Sequence, residues 1–321
     1  MAPGIPKNRA AHRRGLSVRA CAAHALLLCG VTLLAHGVRA QTMEPRSFSN
    51  SPLDLNFLIT GYAYQTGNVL VDPSLPITNV KATVDTAFMA YSRTIDCWGQ
   101  SGSVQLVLPY AWASASGDVF EQQRTVERSG MADLTMRVSV NLIGAPALSL
   151  EQFSSYRQDL IVGLSLRVTA PSGEYLPTKL VNIGTNRWSF NPEVGISKAF
   201  GHWTFELAPG VTFFTDNDAY LGSKVRHEDP LFAVQGHAIY NFNPQLWAAL
   251  DATGYGGGRT SVNGELNDDL QRNSRWGGTF GYGLGRHNSI KLYFSSGATA
   301  RSGTEFKIYG IAWQYRWGAG L

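Results

Sequence analysis

After residue 40 the chain alternates, apolar then polar, through one stretch after another. Between Met131 and Ile143, Leu134, Met136, Val138, Val140 and Leu142 fall on one face, with Asp133, Thr135, Arg137, Ser139 and Asn141 on the other. Tyr156 to Ala170 repeats the pattern, with Leu160, Val162, Leu164, Leu166 and Val168 set against Gly163, Ser165, Arg167 and Thr169. The last stretch is the most aromatic: Tyr309, Ile311, Trp313, Tyr315, Trp317, Ala319 and Leu321 alternate with Gly310, Ala312, Gln314 and Arg316. A period of two is the signature of a β-strand with unlike faces. An apolar face rich in Trp and Tyr opposite a polar one suits a strand with lipid outside and water inside.

Twelve such segments can be counted, at about 53–67, 80–97, 102–115, 130–143, 157–171, 186–199, 202–216, 231–243, 245–257, 273–286, 288–300 and 304–317. Soluble strands average nearer five or six residues, whereas these are long enough to cross a bilayer at a tilt. Connections alternate between tight (Trp98 to Ser101, Phe200-Gly201, Pro244, His287) and long (68–79, 116–129, 172–185, 217–230, 258–272). The spacing predicts an all-β, antiparallel, transmembrane up-and-down barrel of about twelve strands, tight turns on the periplasmic side. Two connections break the rule: Gly144 to Tyr156 is too long for a turn, and Arg301 to Gly303 is short for an outer loop.

The first 40 residues carry Lys7, Arg9, Arg13, Arg14, Arg19 and Arg39 without an acidic residue, then an apolar run from Ala20 to Ala35 and the small-residue site Val38-Arg39-Ala40. This predicts a cleaved secretory signal over 1–40, a short periplasmic segment over 41–52 and a barrel over 53–321. Removing the signal takes six of the 27 basic residues, leaving 21 against 23 acidic ones, a net charge of −2. The basic balance of the whole chain therefore belongs to its leader, and nucleic acid is not an expected partner. Of three cysteines only Cys97 remains, so no intrachain disulfide can form. Closing the sheet on itself would supply stability another way.

A search for chemistry finds little that converges. Four histidines follow the leader: His202 and His287 at tight turns, His227 in a long loop, and His237 alone in mid-strand, with no sequence-level partner. A lipid-facing hydrolase or a metal centre needs several groups brought together, so no enzyme activity and no cofactor or metal is expected. The clusters Asp216-Asn217-Asp218 and Asn267-Asp268-Asp269 offer oxygens to calcium but read more simply as solvated loops. Alternation instead projects a set of charges inward: Arg137, Arg167, Glu193, Glu206, Asp251, Lys291 and Arg316, with Arg187 and Gln314 nearby. These are the candidate lumen-lining residues. They can pair across a narrow interior and close it, or line a polar path. Trp247, Trp276 and Phe280 are candidates for an aromatic contact inside or at the mouth, though an interface belt is the commoner place for such residues.

Several segments resemble a known family. They are Ser51-Pro52-Leu53-Asp54-Leu55-Asn56-Phe57-Leu58, Gly184-Thr185-Asn186-Arg187-Trp188-Ser189-Phe190, Pro192-Glu193-Val194-Gly195, Phe213-Phe214-Thr215-Asp216-Asn217, Tyr255-Gly256-Gly257-Gly258 with Asn263-Gly264, and Trp313-Gln314-Tyr315-Arg316-Trp317. In order and spread they resemble the proteins grouped as the "putative MetA-pathway of phenol degradation" family, also labelled transporters. The resemblance implies a barrel in the bacterial outer membrane that helps small, hydrophobic or aromatic solutes across, and it brings no catalytic residues with it. Expected partners are outer-membrane lipid, the barrel-assembly machinery and a small-molecule solute. With no nucleotide-binding motif, and with 41–52 too short for a folded plug domain, passage would be passive or facilitated diffusion. The competing expectation is a non-transporting barrel that serves envelope structure or meets partners through its long loops.

Overall fold

The computed structural model describes residues 44–69, 77–119, 122–179, 181–300 and 304–321. The signal expected over 1–40 and the connection 301–303 lie outside them. The strands are β1 (Leu55–Val69), β2 (Ile77–Cys97), β3 (Gln100–Val119), β4 (Gln122–Met131), β5 (Thr135–Ile143), β6 (Leu160–Thr169), β7 (Ser189–Phe200), β8 (Trp203–Phe214), β9 (Asn217–Tyr220), β10 (Lys224–Glu228), β11 (Leu231–Asn241), β12 (Leu246–Gly257), β13 (Thr260–Val262), β14 (Glu265–Leu266), β15 (Gln271–Leu284), β16 (Asn288–Ala300) and β17 (Thr304–Gly318). Among the described residues no helix is long and apolar enough to cross a membrane.

The sheet closes. First and last strands pair antiparallel along their whole length, from Leu55 opposite Gly318 to Val69 opposite Thr304. Pairing of β2 with β3 completes the ring. Strands β4 and β5 both pair with β3 and together make one stave, so the barrel has twelve staves. Closure satisfies the backbone amides that an open edge would leave bare in lipid.

The wall is turned inside out relative to a soluble protein. Met136, Val138 and Leu142 are exposed on β5 while Arg137 between them is buried. Along β17 Tyr309, Ile311, Trp313, Tyr315 and Trp317 are exposed and Ala312 is buried. The outer belt is apolar and aromatic, and the interior carries Ser, Thr, Asn, Gln and charged residues. That is the solvent pattern of an outer-membrane barrel. Tight turns use left-handed backbone as expected: Trp98 and Gly99 between β2 and β3 have φ of 55° and 81°, and the Gly99 amide donates to Asp96 Oδ1 at 2.7 Å.

The structure corrects some boundaries. The connection expected over 116–129 is mostly strand, because β3 runs on to Val119 and β4 begins at Gln122. The segment expected over 130–143 is broken at 132–134, where Asp133 turns away from the ladder and accepts hydrogen bonds from Gly173 N at 2.9 Å and Thr185 N at 3.1 Å. The loops expected over 217–230 and 258–272 contain β9, β10, β13 and β14, which form a separate four-stranded sheet at the long-loop end. Alternation could not reveal strands of two to five residues. The overlong connection Gly144 to Tyr156 holds a one-turn helix, Leu150–Phe153, opened by a reciprocal cap in which Ser149 Oγ accepts from Gln152 N and Gln152 Oε1 accepts from Ser149 N.

Candidate functional site: the barrel interior

Residues 44–54 precede β1 and run into the barrel from its tight-turn end. Thr94 anchors the base: its hydroxyl donates to the Pro52 carbonyl at 2.7 Å and accepts from Leu55 N at 2.9 Å. The overlong connection supplies a second grip, as Leu53 N donates to the Leu148 carbonyl at 2.9 Å and Asn50 Nδ2 to the Pro146 carbonyl at 3.1 Å. That connection is itself tied to the neighbouring hairpin, through Ser101 N to Ala145 O and Ala147 N to Gly99 O. Its extra length is thus used to hold the segment. Farther in, Arg46 N donates to Glu206 Oε2 at 2.7 Å, and the Arg46 guanidinium lies 4.7 Å from the Trp247 ring centre.

The segment meets a belt of paired charges. Arg137 contacts Glu193 at 3.2 Å and Ser165 at 3.2 Å, and Gln235 donates to the other Glu193 oxygen at 3.2 Å. His237 Nδ1 lies 2.6 Å from Asp251 Oδ1, and Thr279 donates to Asp251 Oδ2 at 2.8 Å. Glu206, His237 and Asp251 stand side by side on β8, β11 and β12. Lys291 reaches Glu44 of the segment at 3.9 Å. Burial alone would raise the Glu44 carboxyl, but the charges of Lys291, Arg137, Arg167 and His237 outweigh it and hold the group below its ordinary value.

Of the seven charges projected inward, Arg137, Glu193, Glu206 and Asp251 are buried in this belt, Lys291 joins it through Glu44, and Arg167 lines the same narrow cleft as Glu44, Phe48 and His237. Arg316 does not join them; its Nε donates to the Arg286 carbonyl at the tight-turn end. Among the aromatic candidates, Trp247 lies against Arg46, whereas Trp276 and Phe280 are exposed on the lipid face. His237, without a partner in sequence terms, has one in Asp251. The signal was available: the two positions are equidistant from the tight turn at Pro244, so a hairpin must place them opposite one another. The Asp251 carboxylate, held in turn by Thr279, orients the His237 ring.

Sequence reasoning missed Phe48. It is 3% exposed, and its ring lies over Gly163 and Gly195, with the Arg137 guanidinium 5.3 Å from its centre. A Cβ on Gly163 would come 2.7 Å from the ring, and one on Gly195 would collide with it. An aromatic residue in the otherwise polar run 44–51, with glycines in inward strand positions, was the only clue.

The long-loop end is narrowed differently. Residues 170–179 and 181–188 fold inward, and Ile183 packs on Val84, Ala111 and Ala132. Arg187 pairs with Glu228, both buried, and lies 4.4 Å from the Phe214 ring centre. Asn217 donates to the Tyr175 hydroxyl at 2.9 Å and accepts from Asn186 at 2.8 Å. Gly173 and Gly184 lie backbone to backbone: a Cβ on Gly184 would come 2.6 Å from the Gly173 carbonyl.

The family described as "Putative MetA-pathway of phenol degradation" matches residues 63–315. The chain belongs to that family. Its fold is similar to that of the COG4313 outer membrane channel from Pseudomonas putida F1, with a TM-score of 0.74 at 19% identity over 86% of this chain and 100% of that one. It is less similar to the transport unit of the autotransporter AIDA-I from Escherichia coli, with a TM-score of 0.51 at 10% identity over 92% and 97% of the two chains. No curated protein sequence matches. Family membership, the closed barrel and its apolar belt place this member in the bacterial outer membrane.

Proposed function

We propose that this barrel is a channel for passive or facilitated diffusion of small hydrophobic or aromatic solutes. The observation that carries the reading is how the interior is closed. A barrel kept only for structure can fill its core with wall side chains, as eight-stranded barrels do. Here the centre is occupied by a strip outside the wall, residues 44–54, held by the seated Phe48 ring, the Glu44–Lys291 pair and a handful of hydrogen bonds each worth about 1 kcal/mol. An occupant of that kind can be displaced without unfolding the wall. Membership of a family named for phenol degradation supports the choice of small aromatics as solutes.

The belt of ion pairs favours a second reading, a barrel that does not transport: Arg137 with Glu193 and His237 with Asp251 brace the interior without any solute. Planar-bilayer recording and uptake of phenol into proteoliposomes separate the two. Discrete conductance steps and phenol flux above protein-free vesicles are expected. A folded barrel that stays silent in both would leave the structural reading standing.

A further inference from the structure

We infer that Phe48 sits in an aromatic-ring site of the wall, and that a single-ring aromatic solute competes with Phe48 for it. The inference rests on the channel reading and adds to it where the solute binds and what its binding displaces.

The floor of this site is bare backbone. Gly163 on β6 and Gly195 on β7 are cross-strand partners, so two residues without side chains lie next to each other on the inward face. Both would place a Cβ into the volume the ring now fills. Larger residues here would exclude any flat group from the wall. Glycine in a strand interior weakens the strand, and it often marks a place where something approaches the backbone closely. The rim is chemical as well as steric. Arg137 lies 5.3 Å from the ring centre and is fixed by Glu193 and Ser165, so its cationic group is presented to a π-face without needing to reorganise. Gln235 and both Glu193 oxygens lie in the same network, within which a ring-borne hydroxyl could find an acceptor.

What fills this site belongs to no strand. Phe48 comes from the strip gripped at Asn50, Pro52 and Leu53, and no ladder pairing of the wall passes through it. The cleft beside the ring is narrow, so a solute of benzene size cannot be held at this point while Phe48 is in place. Binding of the solute ring and docking of Phe48 are therefore mutually exclusive, and the apparent affinity of the solute is reduced by the fraction of time Phe48 is seated. A solute that wins this competition also loosens the innermost part of the strip.

The test uses the full-length protein in detergent, titrated calorimetrically with phenol, as wild type, F48A and F48A/G195V, with folding checked by heat-modifiable gel mobility. Phenol should bind F48A about tenfold or more tighter than wild type, as expected if the site is free less than roughly a tenth of the time. Valine at 195 should remove that gain; G195A in the same background serves if the valine variant does not fold. Cyclohexanol, of similar size but without a π-face, should bind F48A more weakly than phenol. Equal phenol affinity of wild type and F48A, a gain that survives the filled floor, or equal binding of cyclohexanol would each overturn the inference. Phenol flux into proteoliposomes is read in parallel. Flux with no effect of F48A on binding would sink the ring site and leave the channel, whereas tighter binding without flux in any variant would keep the ring site and sink the channel.

Discussion

Among the described residues the two ends of the barrel are narrowed by different means. At the tight-turn end the closure is a strip that precedes β1 and belongs to no strand, resting against the wall through Thr94, Pro146, Leu148 and Glu206. At the long-loop end the narrowing is part of the fold: it comes from the connection between β6 and β7, with Ile183 packed into an apolar cluster and Arg187 paired with Glu228. The first closure can come away without disturbing strand pairing. Moving either uncovers apolar surface and parts charges, Phe48 and Glu44–Lys291 in the first, Ile183 and Arg187–Glu228 in the second; only the second is continuous at both ends with strands of the barrel. Under the proposed channel function, the contrast places the movable element at the tight-turn side and the fixed one at the other mouth.

The largest effect should come from removing the strip. A variant lacking residues 44–50 is expected to show single-channel conductance raised several-fold in planar bilayers, with a melting temperature close to that of the intact chain. Unchanged conductance would mean that the interior is blocked elsewhere. Next is Gly184→Val, which drives a side chain into the Gly173 backbone. It should destabilise the protein by about 1–3 kcal/mol by overpacking, visible as a lowered melting temperature. A neutral result would show that the long-loop end is as yielding as the strip. Smaller again is Thr94→Val, which removes both bonds of one hydroxyl. A net loss of about 1 kcal/mol should raise the open fraction roughly fivefold, read as time in the larger conductance state.

The smallest effect concerns acid. Docking holds the Glu44 carboxyl below its ordinary value of 4.5. A carboxyl depressed in the docked state stabilises docking above its undocked value, and that contribution is lost as pH falls through the docked one. Conductance should therefore rise on acidification below about pH 4.5. Glu44→Gln should already be more open at neutral pH and show a weaker rise; the same rise in both would assign the effect to other carboxylates.

How much of this was legible beforehand divides along the same line. The wall could be read because each stave repeats a period of two over ten or more residues, so Met136, Arg137 and Val138 declare their sides without any knowledge of neighbours. Six of the seven inward charges followed from that alone and meet in or beside one belt; Arg316 has the right parity but sits too near the end. The closures could not be read. Phe48 lies in a segment without periodicity, and its place over Gly163 and Gly195 depends on a path through the interior that no local pattern encodes. Asp133 was assigned to a strand face, yet it serves a loop some 40 to 52 positions away. The long connection after β5 was visible as an anomaly, and its purpose appeared only with the strip lying beside it.

Asp54 marks where the strip joins the wall. It takes up a left-handed turn, φ 58°, just before β1. From there to Glu44 the chain can span at most roughly 40 Å fully extended. A strip that has swung out therefore stays near the mouth it came from, at an effective concentration on the millimolar scale. Under the proposed channel function, return of a displaced strip would be a unimolecular event whose rate does not depend on the concentration of the protein.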